Sequence, residues 1–261
     1  MHAVPSDNVS RNLMRIRPFL TGTIAAAALI AVGAAAGASP PATAPATDAT
    51  TPGPPTATSA WRARVLFPVA ARNAPRRGAH VLMRVLHYTE FSRTPNWLMV
   101  TGFRDNRRGT DWVRVQLPER PNGRSGWLPL DAVQLKRTDL RIAISVARRT
   151  VTLLKAGKPL RTFRAGVGTG GTPTPIGLFA VQDPFSAPRD QLGPFILVLT
   201  AHSGVLRTFA GGDGIVAIHG WPDSSVLGHA VSHGCIRMSR DDVRFLARFA
   251  RAGTPVLISK S

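Results

Sequence analysis

Cys235 is the sole cysteine of the 261-residue chain, and glycine and histidine precede it in Ser232-His233-Gly234-Cys235. A lone thiol makes no intramolecular disulfide, so its uses are core burial or reactivity. It becomes a useful nucleophile when a neighbour takes its proton or stabilises the thiolate, and histidine does both near neutral pH. The histidines are His2, His80, His87, His202, His219, His229 and His233, all upstream of Cys235. Papain-like hydrolases place the nucleophile before its histidine, so the reversed order here disfavours that class. Ile215, Val216 and Ile218 predict a buried strand that delivers His219 at its end. Residues 220–225 then read as a loop, and Val231 begins a return that brings Cys235 toward His219. Only Asp213 and Asp223 are carboxylates nearby, so a backbone carbonyl is the expected partner for the base's second ring nitrogen. Acyl transfer also needs donors for an oxyanion, and the N–H groups of Gly234 and Cys235 are available for it.

Metal binding is the competing chemistry, since His219, His229, His233 and Cys235 are all zinc-ligand types. His229 and His233 have a spacing used on helices, but Gly228 and Gly234 bracket them and no His-Glu pair occurs. No metal and no cofactor are expected.

The elements that must position these groups read as mainly β. Between 61 and 137, "HVLMRVLHY", "NWLMVTGF", "DWVRVQL" and "GWLPLDAVQL" read as short strands, with Val113, Val115 and Leu117 alternating and a hairpin turn over 121–126. No sustained helical period occurs there, so a small barrel is expected, its aromatic residues mostly core. From 138 to 261, Ile142, Ile144, Val146, Val151 and Leu153 mark a β-meander. Pro173 and Pro175 hold off the strand that resumes at Leu178. Ser239 caps the one main helix, opened by Asp241 and Asp242, with Val243, Leu246, Phe249 and Ala250 on one face. Gly253 and Pro255 end it, and "VLIS" closes the domain as a strand. The turn-rich stretch 183–195 could cover a bound substrate.

"IHGWPDSSVLGHAVSHGCIRMS", with "TPTPIGLF" upstream and the meander before it, resembles the catalytic domain of the YkuD-type L,D-transpeptidases over roughly 139–258. The resemblance implies a β-sandwich with Cys235 as nucleophile, His219 as base oriented by the Gly220 carbonyl, and an oxyanion region at His233, Gly234 and Cys235. It assigns Ser232 and Arg237 shaping and substrate-contact roles and gives His229 none. The implied reaction is acyl transfer on peptidoglycan stem peptides through a thioester at the third residue, and a carbapenem-type β-lactam should acylate Cys235. The segment "DWVRVQLPERPNGRSGWLPLDAVQL" resembles the C-terminal half of bacterial SH3-like domains. A carboxypeptidase that lets water resolve the thioester, or a non-catalytic wall-binding protein, would use the same parts differently.

The N-terminal 38 residues have a basic flank with Arg11, Arg15 and Arg17 and an uncharged apolar run from Phe19 to Ala38, the layout of an export signal cleaved near 36–38. An uncleaved anchor is the alternative, because a bilayer needs about 20 apolar residues. Residues 39–60, almost all Pro, Ala, Thr and Ser, read as a disordered tether. The protein is thus expected at the cell wall or the outer face of the cytoplasmic membrane. Its formal charge of +19, carried almost wholly by arginine, would favour anionic wall polymers or a membrane surface, and no nucleic-acid motif accompanies it.

Overall fold

The apolar alternation between Trp61 and Arg137 builds one seven-stranded sheet in the computed structural model, which describes residues 51–106, 109–187, 191–209 and 212–261. The expected export signal and the tether through 50 lie outside the described residues. The strands are β1 (Ala60–Val65), β2 (Val69–Arg72), β3 (Val81–Val85), β4 (Trp97–Arg104), β5 (Trp112–Gln116), β6 (Ser125–Pro129) and β7 (Val133–Thr138), ordered β3-β2-β6-β5-β4-β1-β7. The composition-based tether ends earlier than expected. Thr56 N–H donates to Ser59 O at 2.8 Å in a turn, and buried Ala60 already pairs with Thr138. Val113, Val115 and Leu117 point into the core as their alternation requires. Val85 of β3 and Val133 of β7 share that core, so the sheet wraps around one interior although its two outer strands do not pair with each other. The aromatics divide: Trp112 is buried, whereas Phe67, Tyr88 and Phe91 are exposed.

The second half contains β8 (Leu140–Ser145), β9 (Thr150–Lys155), β10 (Lys158–Arg164), β11 (Val167–Gly168), β12 (Gly177–Ser186), β13 (Phe195–His202), β14 (Ile215–Trp221), β15 (Ala230–Ser232), β16 (Ile236–Ser239), α1 (Arg240–Ala247) and β17 (Pro255–Ser259). Eight of these strands form one sheet, β10-β9-β8-β17-β12-β13-β14-β16, and β11 pairs with β15 in a parallel ribbon. The sheet folds over itself: Ile142, Ile144, Val151 and Leu153 share a core with Leu197, Leu199, Val216 and Ile218. β8 to β10 are the expected meander, and β12 starts at Gly177, just past the two prolines.

Ser239 caps α1 as its position implies, its Oγ accepting from Asp242 N–H at 3.1 Å. The helix is shorter than its apolar face suggests. After Ala247 the chain turns, with Phe249 and Ala250 N–H both donating to Leu246 O, and Gly253 at φ +81° sends it back into β17. Among the described residues no helix is long and apolar enough to cross a membrane.

The sheets meet through buried polar contacts, and the described residues form one compact unit. Gln116 lies on the face of β5 opposite Val113 and Val115. It donates to Leu178 O at 2.8 Å and accepts from Thr200 Oγ1 at 2.7 Å. Asp183, fully buried, accepts from the N–H groups of Phe91 and Ser92 at 2.9 and 3.0 Å and from Ser92 Oγ.

Candidate active site

Parallel pairing of β14 with β16 places His219 opposite Arg237, two residues past Cys235 at the entry to β16. Both His219 and Cys235 line one pocket of about 600 Å³, with Gln191, Leu192, Phe209, Trp221, Ser232, His233 and Arg237. The strand continues to Trp221, so Gly220 and Trp221, expected in a loop, belong to β14 and are held by the β16 ladder.

Buried His219 has its Nδ1 2.8 Å from Gly220 O. Nδ1–H donates to that carbonyl, so the proton-accepting nitrogen of the neutral ring is Nε2. Gly220 has a second task. Its N–H donates to Leu192 O at 3.0 Å, and a Cβ there would lie 2.0 Å from Gly193 O. Only glycine lets Leu192 and Gly193 sit against the residue whose carbonyl meets His219.

The turn that presents Cys235 is held from within and from outside. Ser232 Oγ donates to Cys235 O at 2.6 Å and accepts from Gly234 N–H at 3.1 Å. Gly234 has φ +116° with no neighbour closer than 3.6 Å to a would-be Cβ, so backbone conformation, not space, requires glycine. Thr174 Oγ1 donates to Gly234 O and Thr172 Oγ1 to Ser232 O, at 2.9 and 3.0 Å. Ser232 therefore ties the turn together through both of its hydrogen bonds. Of the two N–H groups expected to serve an oxyanion, that of Gly234 is already engaged by Ser232 Oγ.

Burial pushes the Cys235 thiol above its ordinary pKa, while a backbone hydrogen bond with Ala217 and the charge of Arg237 act in the opposite direction. Burial thus favours the thiol form of Cys235 over the thiolate. Arg237 lies 3.8 Å over the Trp221 ring and is itself lowered by burial. His233, exposed at the rim, meets Phe209 with ring centroids 5.0 Å apart.

His229 does not line the pocket; its backbone joins the β11–β15 ribbon through Val167 N–H. Among the described residues no three His, Cys, Asp or Glu side chains are grouped to hold a metal ion. The stretch 183–195 is only partly a cover. Residues through Ser186 extend β12 and Phe195 opens β13, while Gln191 and Leu192 reach the pocket; 188–190 lie outside the described residues. Sequence reasoning missed the roles of Thr172 and Thr174, although "TPTPIGLF" marks their segment. It also missed Phe209, for which no local pattern gives a signal.

Residues 139–258 match the YkuD family, described as the L,D-transpeptidase catalytic domain. A putative L,D-transpeptidase YkuD of Bacillus licheniformis is 35% identical over 120 residues, 46% of this chain and 65% of that protein. L,D-transpeptidase 1 of Mycobacterium tuberculosis is 33% identical over 124 residues, 43% of this chain and 47% of that protein. The match thus spans less than two thirds of these relatives' own length. Among solved structures, an L,D-transpeptidase from Mycobacterium smegmatis is 16% identical, with a TM-score of 0.38, over 64% of this chain and 100% of that one. The Cys–His pocket lies inside the matched stretch, so the part of the chain that resembles the L,D-transpeptidase catalytic domain of the YkuD family is residues 139–258.

Proposed function

We propose that the protein is an exported L,D-transpeptidase that cross-links peptidoglycan stem peptides between third residues. The observation that carries this reading is the placement of Cys235 and His219 in one pocket, with the histidine tautomer set by Gly220 O. His219 Nε2 takes the thiol proton as Sγ attacks the carbonyl carbon of the third stem residue, and the oxyanion faces the Cys235 N–H. The tetrahedral species collapses, His219 returns the proton to the departing D-alanine nitrogen, and the donor remains as a thioester. An acceptor amine gives a proton to His219, attacks the thioester carbonyl and releases the Cys235 thiol. The apolar wall formed by Leu192, Phe209 and Trp221 excludes water and favours the amine.

Export rests on the basic flank and apolar run before residue 38, and retention at the wall on the +19 charge facing anionic polymers. The seven-stranded sheet serves as an SH3-like module on this reading. Product mass spectrometry with a tetrapeptide donor, with and without an acceptor amine, tests the reaction. A dimer lost in the Cys235→Ala protein supports cross-linking; a trimmed tripeptide alone identifies a carboxypeptidase; no product from the native protein refutes both.

A further inference from the structure

The N-terminal sheet meets the chain between β13 and β14 through Arg120 and Asn122. Arg120, between β5 and β6, donates from Nη1 to Ser203 O at 2.7 Å and from Nη2 to Leu206 O and Asp213 O at 3.0 and 2.8 Å. These carbonyls belong to the connection between β13 and β14, the one that carries Phe209. Its neighbour Asn122 exchanges two 2.8 Å hydrogen bonds with the His202 backbone, at the point where β13 gives way to that connection. The base of the connection is closed by Ser203 N–H on Gly214 O at 2.8 Å. Gly214 sits at φ +74°, where a Cβ would fall 2.1 Å from Leu206 O and 3.1 Å from Arg120 Nη2. Three carbonyls thus converge on a space that a planar, multiply donating guanidinium fills. Further out, Phe209 and Gly212 exchange backbone hydrogen bonds at 2.9 Å, and the Phe209 ring lies 5.0 Å from that of His233 in the pocket wall.

We propose that Arg120 is a positioning residue for the Cys235 pocket, holding the β13–β14 connection so that Phe209 stands against His233 as a wall for the stem peptide. It touches neither sulfur nor base and acts through backbone carbonyls. The N-terminal sheet is then part of the substrate-binding apparatus and not only a spacer or wall ligand. The identity of the bound peptide rests on the function proposed above; the clamp does not.

Two arms test it on the full chain. In hydrogen exchange, Arg120→Ala should speed exchange of the Leu206, Phe209 and Gly212 amides at least about tenfold while the β13 and β14 amides keep their protection. Unchanged exchange in the connection overturns the proposal whether or not the protein turns over stem peptides, and loss of protection throughout both sheets assigns Arg120 to general stability instead. In kinetics, Arg120→Ala and Phe209→Ala should each raise KM for the tetrapeptide donor about tenfold with a smaller change in kcat, and the double variant should lose no more than either single one. Arg120→Lys should recover part of the loss. Multiplying effects, or an unchanged KM in Arg120→Ala, would overturn the clamp, whereas absence of turnover in the native protein refutes the reaction and leaves the exchange arm to decide.

Discussion

At Cys235, burial and charge pull the thiol in opposite directions. Burial dominates and raises its pKa; the Arg237 guanidinium favours the thiolate. Replacing Arg237 with Gln removes the favourable charge, so the thiol pKa should rise further, and alkylation by iodoacetamide at pH 7 should slow with its pH profile displaced upward. A profile moved downward would contradict the electrostatic account. His219→Ala should lower cross-linking by a factor of about 10² or more, by analogy with general-base losses elsewhere, without unfolding the protein. The meeting of Cys235 with His219 was legible in the sequence, because a strand, a loop and a return lead from one to the other. Thr172 and Thr174 were not: their hydroxyls reach backbone carbonyls 60 positions away, a contact that no local spacing encodes.

Among the elements, the Ser232–Cys235 turn is the least replaceable. Ser232→Ala strips Gly234 N–H and Cys235 O of their shared partner, a loss of about 1–3 kcal/mol for buried groups. Because the turn aims Sγ, kcat should fall more than the melting temperature alone explains, and equal activity would show that the turn holds itself. At the end of β13, buried His202 lies 3.2 Å from Asp213 and has its pKa lowered by burial, with the Asp213 charge opposing. The unfolded chain therefore binds this proton more readily than the fold does. The group costs stability as pH falls from about 6.5 toward its lowered folded value. His202→Gln should flatten the pH dependence of the melting temperature in that window, checked by calorimetry between pH 7.5 and 5.5. Strand identities were legible from alternation, and the helix start from its cap. The true extents of β14 and α1 were not, because the ladder to β16 and the return into β17 set them, and neither is local.

Across the whole molecule, the divide between the two sheets was visible in the sequence, whereas their union was not. Gln116 and Asp183 look like ordinary solvent-facing polar residues, yet each is buried between the sheets with its hydrogen bonds made. Asp183→Ala leaves two amides without their acceptor. It should lower stability by about 2–4 kcal/mol, and the sheets should still unfold in a single transition; two separated transitions would show that they are independent. The place of β17 has a consequence in time. It lies between β8 and β12, although it follows both of them in the chain. Until residues 255–259 are made, β8 and β12 lack the strand that hydrogen-bonds to both, so the sheet that carries the pocket cannot close before them. A nascent chain lacking that strand stays soft, open to chaperones and proteases, and chemically idle.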